Sequence, residues 1–426
     1  MSRPHLPLPR IDLATLPPLI STNEPHSFAK FTMEGRDTRI LQELEDAPYF
    51  SPDIKRGFKK LRAEILDGVI EPLREDTPDA DFWRAISKPH IGRSWLDVPW
   101  YWAETFFYRR ILEIVRYFHL GAWHERDPFA AQKDAELKAD AAPARVRALL
   151  LTPDPSPQNF SQKILGRGEM FERMLYAALW GNRVDLSYNV EEKFGRAARL
   201  EDERANLLVD DAARVWEFIS ARPLKHLIYV CDNAGTELAL DLALMDYLLA
   251  DGATTRDRPY VDKIVMHLKP QPFYVSDAMP QDVERTLDAF EKANEETRGI
   301  AKRLRAQLKA KRLELRVHWF YPTPLHYFEM PDDLFEMFRA ADFAIIKGDA
   351  NYRRVVGDAH WKPTIAFEHC TRYFPTSFVC LRTLKSDVIA GLKAEQVEEL
   401  NHADREWRVN GKRGVVQANL RMNDEG

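Results

Sequence analysis

The rhythm of apolar and polar positions changes near residue 200. Before it, apolar residues recur three and four apart over 36–44, 54–70, 79–85 and 100–118. That period predicts amphipathic helices. Pro48, Pro72, Pro99 and the cluster Pro153, Pro155 and Pro157 mark the breaks between them. Prolines also recur through 1–24, which predicts an extended segment there. Residues 126–148 are charged and alanine-rich, the pattern of a solvated helix or insertion.

After residue 200 the pattern shortens. Apolar runs at 227–230, 264–268, 313–320, 343–347 and 377–381 predict strands. Helical periods lie between them. Leu238, Leu242, Met245 and Leu249 share one face, and further helices are expected over 283–308 and 334–341. Strands alternating with helices imply a mostly parallel sheet with helices on both faces. The organisation read from the chain is an extended segment over 1–24, a helical domain over 25–200 and an α/β domain over 201–426.

Composition narrows the partners. Hydrophobic residues are 45% and charged residues 30%, with a formal charge of -5. Such a balance gives no general basic field for nucleic acid or an anionic membrane. Neither is expected as a partner. Cys231, Cys370 and Cys380 show no pairing spacing, which suggests buried thiols in a reducing compartment. The first twenty residues lack the apolar core of a signal peptide, and no apolar run reaches the ~18 residues of a membrane span. A cytoplasmic location is expected.

In parallel sheets of this kind, ligands sit at the carboxyl ends of the strands. Polar motifs stand after four of the predicted strands: Asp232-Asn233, Ser276-Asp277, the run Lys347-Gly348-Asp349-Ala350-Asn351-Tyr352-Arg353, and Arg382-Thr383-Leu384-Lys385. Two aspartates and an asparagine are hard oxygen ligands, suited to magnesium or manganese. Lys347, Arg353 and Lys385 supply positive charge for phosphate oxygens. A helix opening near Ala234 would aim its N–H groups at the same place. Each feature also has a plainer reading. Asp232-Asn233 and Ser276-Asp277 could cap helices, Asn351-Tyr352 could be a turn, and Arg382-Thr383 an edge. In the helical part, Glu104 and Arg109 could be an ion pair, or Glu104 could reach the site. Asn182 and Asp185 could be turn residues or pocket lining.

These segments resemble a known family. DNAGTE after a strand, a later SD, KGDANYRR and LRTLKSD are similar to the damage-control metal-dependent phosphatases (domain of unknown function eighty-nine). Within them they match the acidic-residue methyltransferase-like subfamily with an Arg-Thr-x-Lys motif, here Arg382, Thr383 and Lys385. WLDVPWYWAETFFYRRILE and ALWGNRVDLS fit its helical part, and the likeness spans about 35–395. It implies a Rossmann-like α/β/α domain with an appended helical domain. It also implies a divalent metal (manganese or magnesium, with cobalt and nickel as further candidates) on Asp232, Asn233 and Asp277. Substrate contacts map onto 349–353 and Lys385, with Glu104 and Asn182 lining the pocket. The implied activity is hydrolysis of small phosphomonoesters, sugar phosphates such as fructose 1-phosphate, by water or by Asp232 as nucleophile. The implied partner is a small phosphorylated metabolite. Ala350 stands where a larger apolar residue is expected, and its side chain is expected to stay clear of substrate. Two rival readings remain: an S-adenosylmethionine-dependent carboxyl methyltransferase, and a non-catalytic sugar-phosphate binding module.

Overall fold

A computed structural model describes residues 6–138, 141–151, 166–181, 204–251 and 258–421. Its centre is a seven-stranded sheet in the order β1-β7-β6-β5-β2-β3-β4. The strands are β1 (Leu207–Asp210), β2 (Leu227–Val230), β3 (Ile264–Leu268), β4 (Leu313–Val317), β5 (Phe343–Lys347), β6 (Phe378–Thr383) and β7 (Gly414–Asn419). All neighbouring pairs are parallel except β6 and β7.

The central strands β2, β3 and β5 are buried at every position. A strand covered on both faces needs no polar alternation, which explains their continuous apolar runs. Successive residues still divide between the faces. Leu227 and Tyr229 join one core, whereas Ile228 and Val230 join the other. The first core includes helices Arg167–Trp180, Thr236–Leu249, Pro280–Ala293 and Glu295–Lys309. The second includes Pro52–Asp67, Ala80–Ser87 and the aromatic helix Trp100–Val115. The architecture is the expected α/β/α sandwich. Helices from both sides of residue 200 share these cores, since Arg167–Trp180 packs on Thr236–Leu249.

Several expectations need correction. β1 and β7 were not anticipated from the chain. β1 is a four-residue edge strand, and β7 carries Gln417 in its interior, bonded there to Tyr352 and Ala390. The helix expected over 283–308 is two, broken where Asn294 caps the second. The first expected helix begins as a π-helical turn, Thr32–Asp37, and continues as Thr38–Asp46. Residues 126–148 hold two helices, Ala130–Lys138 and Ala141–Leu150. All three cysteines are buried and free. No helix among the described residues is long and apolar enough to cross a membrane.

Candidate active site at the crevice between two central strands

From β2 the chain runs to β3 and β4 on one side, and then returns to β5 on the other. The strand order therefore reverses between β2 and β5. A crevice opens at such a point beyond the carboxyl ends of the strands. The residues expected to bind metal lie there. Asp232 and Asn233 follow β2, and Asn233 pairs with Asp277 as an isolated bridge. The Ala234 N–H donates to the Ser276 carbonyl at 2.7 Å, and the Ala278 N–H to the Asp232 carbonyl at 2.7 Å. The Ser276 hydroxyl donates to Asn233 Oδ1 at 2.6 Å. Two loops separated by 40-odd residues are thereby laced together.

The third wall comes from β5. Gly348 adopts φ +93, and a Cβ there would sit 2.1 Å from the Asp232 carboxyl carbon. Only glycine permits this approach. Asp349 follows at the start of helix Asp349–Val356. Its Oδ1 accepts from Arg382 Nε at 2.7 Å and from the Lys385 N–H at 3.0 Å. The helical side closes the cleft with Phe28, Arg36, Trp100 and Glu104, while Tyr274 and Lys385 complete it. The enclosed volume is about 120 Å3.

The charges are layered. Burial, then the neighbouring Glu237 and Asp277 carboxylates, push the Asp232 carboxyl well above its ordinary range. Burial likewise raises Asp277, although Lys269 lies 3.0 Å from its Oδ2. Burial acts upward on Asp349 as well, yet Arg382 and Arg353 hold it below its usual value. The floor at Asp232 is thus short of positive charge. Two carboxylates and an amide facing such a deficit fit a hard divalent cation, with remaining positions open to water or substrate oxygen.

The expected residues divide into those in the cleft and those behind it. Asp232, Asn233, Asp277, Glu104, Asp349, Arg353 and Lys385 line it. Lys347 does not. It is fully buried under the floor, and its Nζ donates to Glu237 at 2.7 Å, Asp241 at 2.9 Å and the Ala178 carbonyl at 2.6 Å. Burial opposes its charge, but the two carboxylates more than compensate. Asn351, Tyr352 and Arg382 do not line the cleft either: Asn351 donates to the Lys347 carbonyl, Tyr352 to Gln417, and Arg382 to Ser386 and, from behind, to the cleft residue Asp349. Asn182 and Asp185 lie outside the described residues. Ala350 also lines the cleft. Glu104 pairs with Arg353 rather than Arg109, which instead holds Glu75 and Asp79.

Several participants escaped the sequence reading. Lys269 stands directly after β3, so strand-end position alone could have flagged it, whereas Glu237 lies inside the DNAGTE segment but already in the helix Thr236–Leu249. Arg36 reaches the cleft from the π-helical turn, with the unpartnered buried carboxylate of Asp37 beside it in the chain. Lys133, from the charged stretch 126–148, donates to the Asp277 carbonyl at 2.7 Å and pairs with Asp127 and Asp282. No local signal marks either residue.

Residues 32–400 match the model of the damage-control phosphatase ARMT1-like domain. The damage-control phosphatase ARMT1 of Danio rerio is 31% identical over 445 residues, spanning 94% of this chain and 97% of that protein. The protein of the same name from Homo sapiens is 26% identical, spanning 95% and 99%. A solved structure, a DUF89 family protein from Pyrococcus horikoshii, aligns with a TM-score of 0.48 and 16% identity over 92% of this chain and 97% of that one.

Proposed function

The chain belongs to the damage-control phosphatase ARMT1-like family, and on that premise we propose that it is a metal-dependent phosphatase of small phosphomonoesters, sugar phosphates such as fructose 1-phosphate foremost. The observation that carries this reading is the convergence of Asp232, Asn233 and Asp277 on one crevice, beside an accessible Lys385. Those three side chains would hold a manganese or magnesium ion. When bound, the ion would draw charge from the phosphoryl group and from any water beside it.

The chain's own groups do the rest. Lys385 and Arg36 neutralise phosphate oxygens from opposite walls of the cleft, the sheet rim and the helical side. The first N–H groups of helix Asp349–Val356 point at the same anion. Glu104, held by Arg353 and by the Tyr274 hydroxyl at 3.3 Å, accepts a hydroxyl of the sugar. Arg353 is itself aimed by Asp358 at 2.8 Å and by the Trp100 ring face at 3.6 Å. Trp100 and Phe28 exclude water. The nucleophile is water or the Asp232 carboxylate, and the stereochemical course at a chiral phosphorus separates the two, inversion for direct attack by water and net retention through a phosphoaspartate.

The test is phosphate release from p-nitrophenyl phosphate and a panel of phosphorylated sugars, with manganese and without. Asp232→Ala should abolish metal-dependent turnover. Full activity in that variant would reject the metal assignment.

A further inference from the structure

A second crevice lies behind the catalytic cleft, across the segment that opens the aromatic helix. Leu16, Ile20, Tyr101, Trp102, Leu325 and His326 line it, and it encloses about 200 Å3. An apolar cavity of about 150 Å3 holds one benzene ring. The volume therefore admits a single ring with a small substituent. Leu13 and Leu19 stand at its walls and are among the exposed large apolar residues of the described chain.

The walls are mostly apolar, with a specific exception. Trp102 Nε1 and His326 Nε2 are buried and have no hydrogen-bond partner. Their residues are only 4% and 8% exposed. Folded interiors rarely leave such atoms unsatisfied. With a neutral imidazole their roles are opposite. An indole nitrogen only donates. His326 Nδ1 lies 3.1 Å from Glu329 Oε2, so a neutral ring carries its proton on Nδ1 and offers Nε2 as an acceptor. His90, also in the lining, has its ring centroid 4.2 Å from that of Trp102 at an interplanar angle of 42°, and its Nδ1 is likewise buried without a partner.

Charge separates this crevice from the cleft in front of it. No lysine or arginine is among its lining residues, whereas Glu329 and Asp358 are. Asp358 is already bonded to Arg353. An anion would meet carboxylates and no cation here, so a phosphate ester is excluded.

We propose that this crevice is a binding site for a neutral, single-ring molecule carrying a hydroxyl group. The hydroxyl proton goes to His326 Nε2, the hydroxyl oxygen accepts from Trp102 Nε1–H, and the ring packs on Leu16, Ile20 and Leu325. A hydroxyl is the smallest group that donates and accepts at once.

The test uses the full chain with 4-fluorophenol, followed by fluorine NMR, and fluorobenzene as the control. Saturable binding of 4-fluorophenol is expected, with fluorobenzene about tenfold weaker for want of the hydrogen bonds. Leu16→Trp fills the crevice from a half-buried surface segment, so it should fold normally and bind neither probe. His326→Leu should erase the preference for the phenol. Inorganic phosphate should leave binding unchanged. Absence of saturable binding, survival of binding in Leu16→Trp, equal affinity for both probes, or displacement by phosphate would each overturn the proposal; equal affinity would mean that the two nitrogens hold water only. None of these readouts depends on turnover, so the phosphatase reading stands or falls separately.

Discussion

The two walls of the candidate cleft are built on different principles. The sheet wall places Asp232, Asn233, Gly348, Asp349 and Lys385 at the ends of strands whose spacing is set by backbone hydrogen bonds. The helical wall places Phe28, Arg36, Trp100 and Glu104 by side-chain packing and by one salt bridge, Glu104 to Arg353. A hydrogen-bonded ladder fixes position to a fraction of an ångström. A packed helix fixes it only as well as its neighbours fit. The sheet wall should therefore fail abruptly when altered, and the helical wall by degrees.

Gly348→Ala is the sharpest way to break that contrast. The added methyl would fall on the Asp232 carboxylate, and φ +93 disfavours any side chain. Displacing a reacting group by an ångström costs on the order of 10²-fold, so kcat should fall at least that far while the fold persists. Steady-state kinetics with p-nitrophenyl phosphate, beside circular dichroism, checks this; near-normal kcat would mean that Asp232 has room to move.

Lys347→Met probes what lies under the sheet wall. It leaves Glu237 and Asp241 buried without their cation. Removing one partner of a buried pair costs about 3–5 kcal/mol. The expected result is a large drop in denaturation midpoint, with activity lost in proportion to unfolding. A stable but inactive variant would instead return Lys347 to the phosphate.

Arg36→Gln tests the helical wall. It should reduce kcat/KM by roughly tenfold, or about 1.5 kcal/mol, chiefly through KM. An unchanged KM would take Arg36 out of the substrate site.

A further probe is the pH dependence of stability. Burial raises the Asp241 carboxyl to about 6 despite Lys347 beside it. A carboxyl raised on folding binds its proton more tightly in the folded state. Its contribution is therefore greatest below about pH 4 and is lost as pH rises towards 6, by up to about 3 kcal/mol. Asp241→Asn should flatten that part of the melting-temperature profile relative to the parent chain. Identical slopes would contradict the raised value.

The same contrast explains how much the chain itself discloses. Three of the predicted strands match to the residue, at Leu227–Val230, Ile264–Leu268 and Phe343–Lys347, because fully buried strands write unbroken apolar runs. Their carboxyl ends then locate Asp232, Asn233 and Asp349 by rule. Lys347 defeats that rule, since the last residue of a strand can point beneath the rim as readily as above it. Arg36 and Lys133 reach the site from elements whose placement against the sheet depends on tertiary packing, which no local period records. β7 was hidden because its Gln417 is satisfied by partners far away in the chain.

The loop that brings Asp277 to its place turns through two successive residues with left-handed backbones, Tyr274 at φ 44 and Val275 at φ 56. A β-branched residue tolerates that region poorly, at a cost of about 1–3 kcal/mol. The segment is in effect a compressed spring, latched by Lys133, Lys269 and the rung between Asn233 and Asp277. Val275→Gly would relax it, making the molecule harder to unfold and its aspartate less well aimed, so that toughness and turnover pull against each other at a single bend.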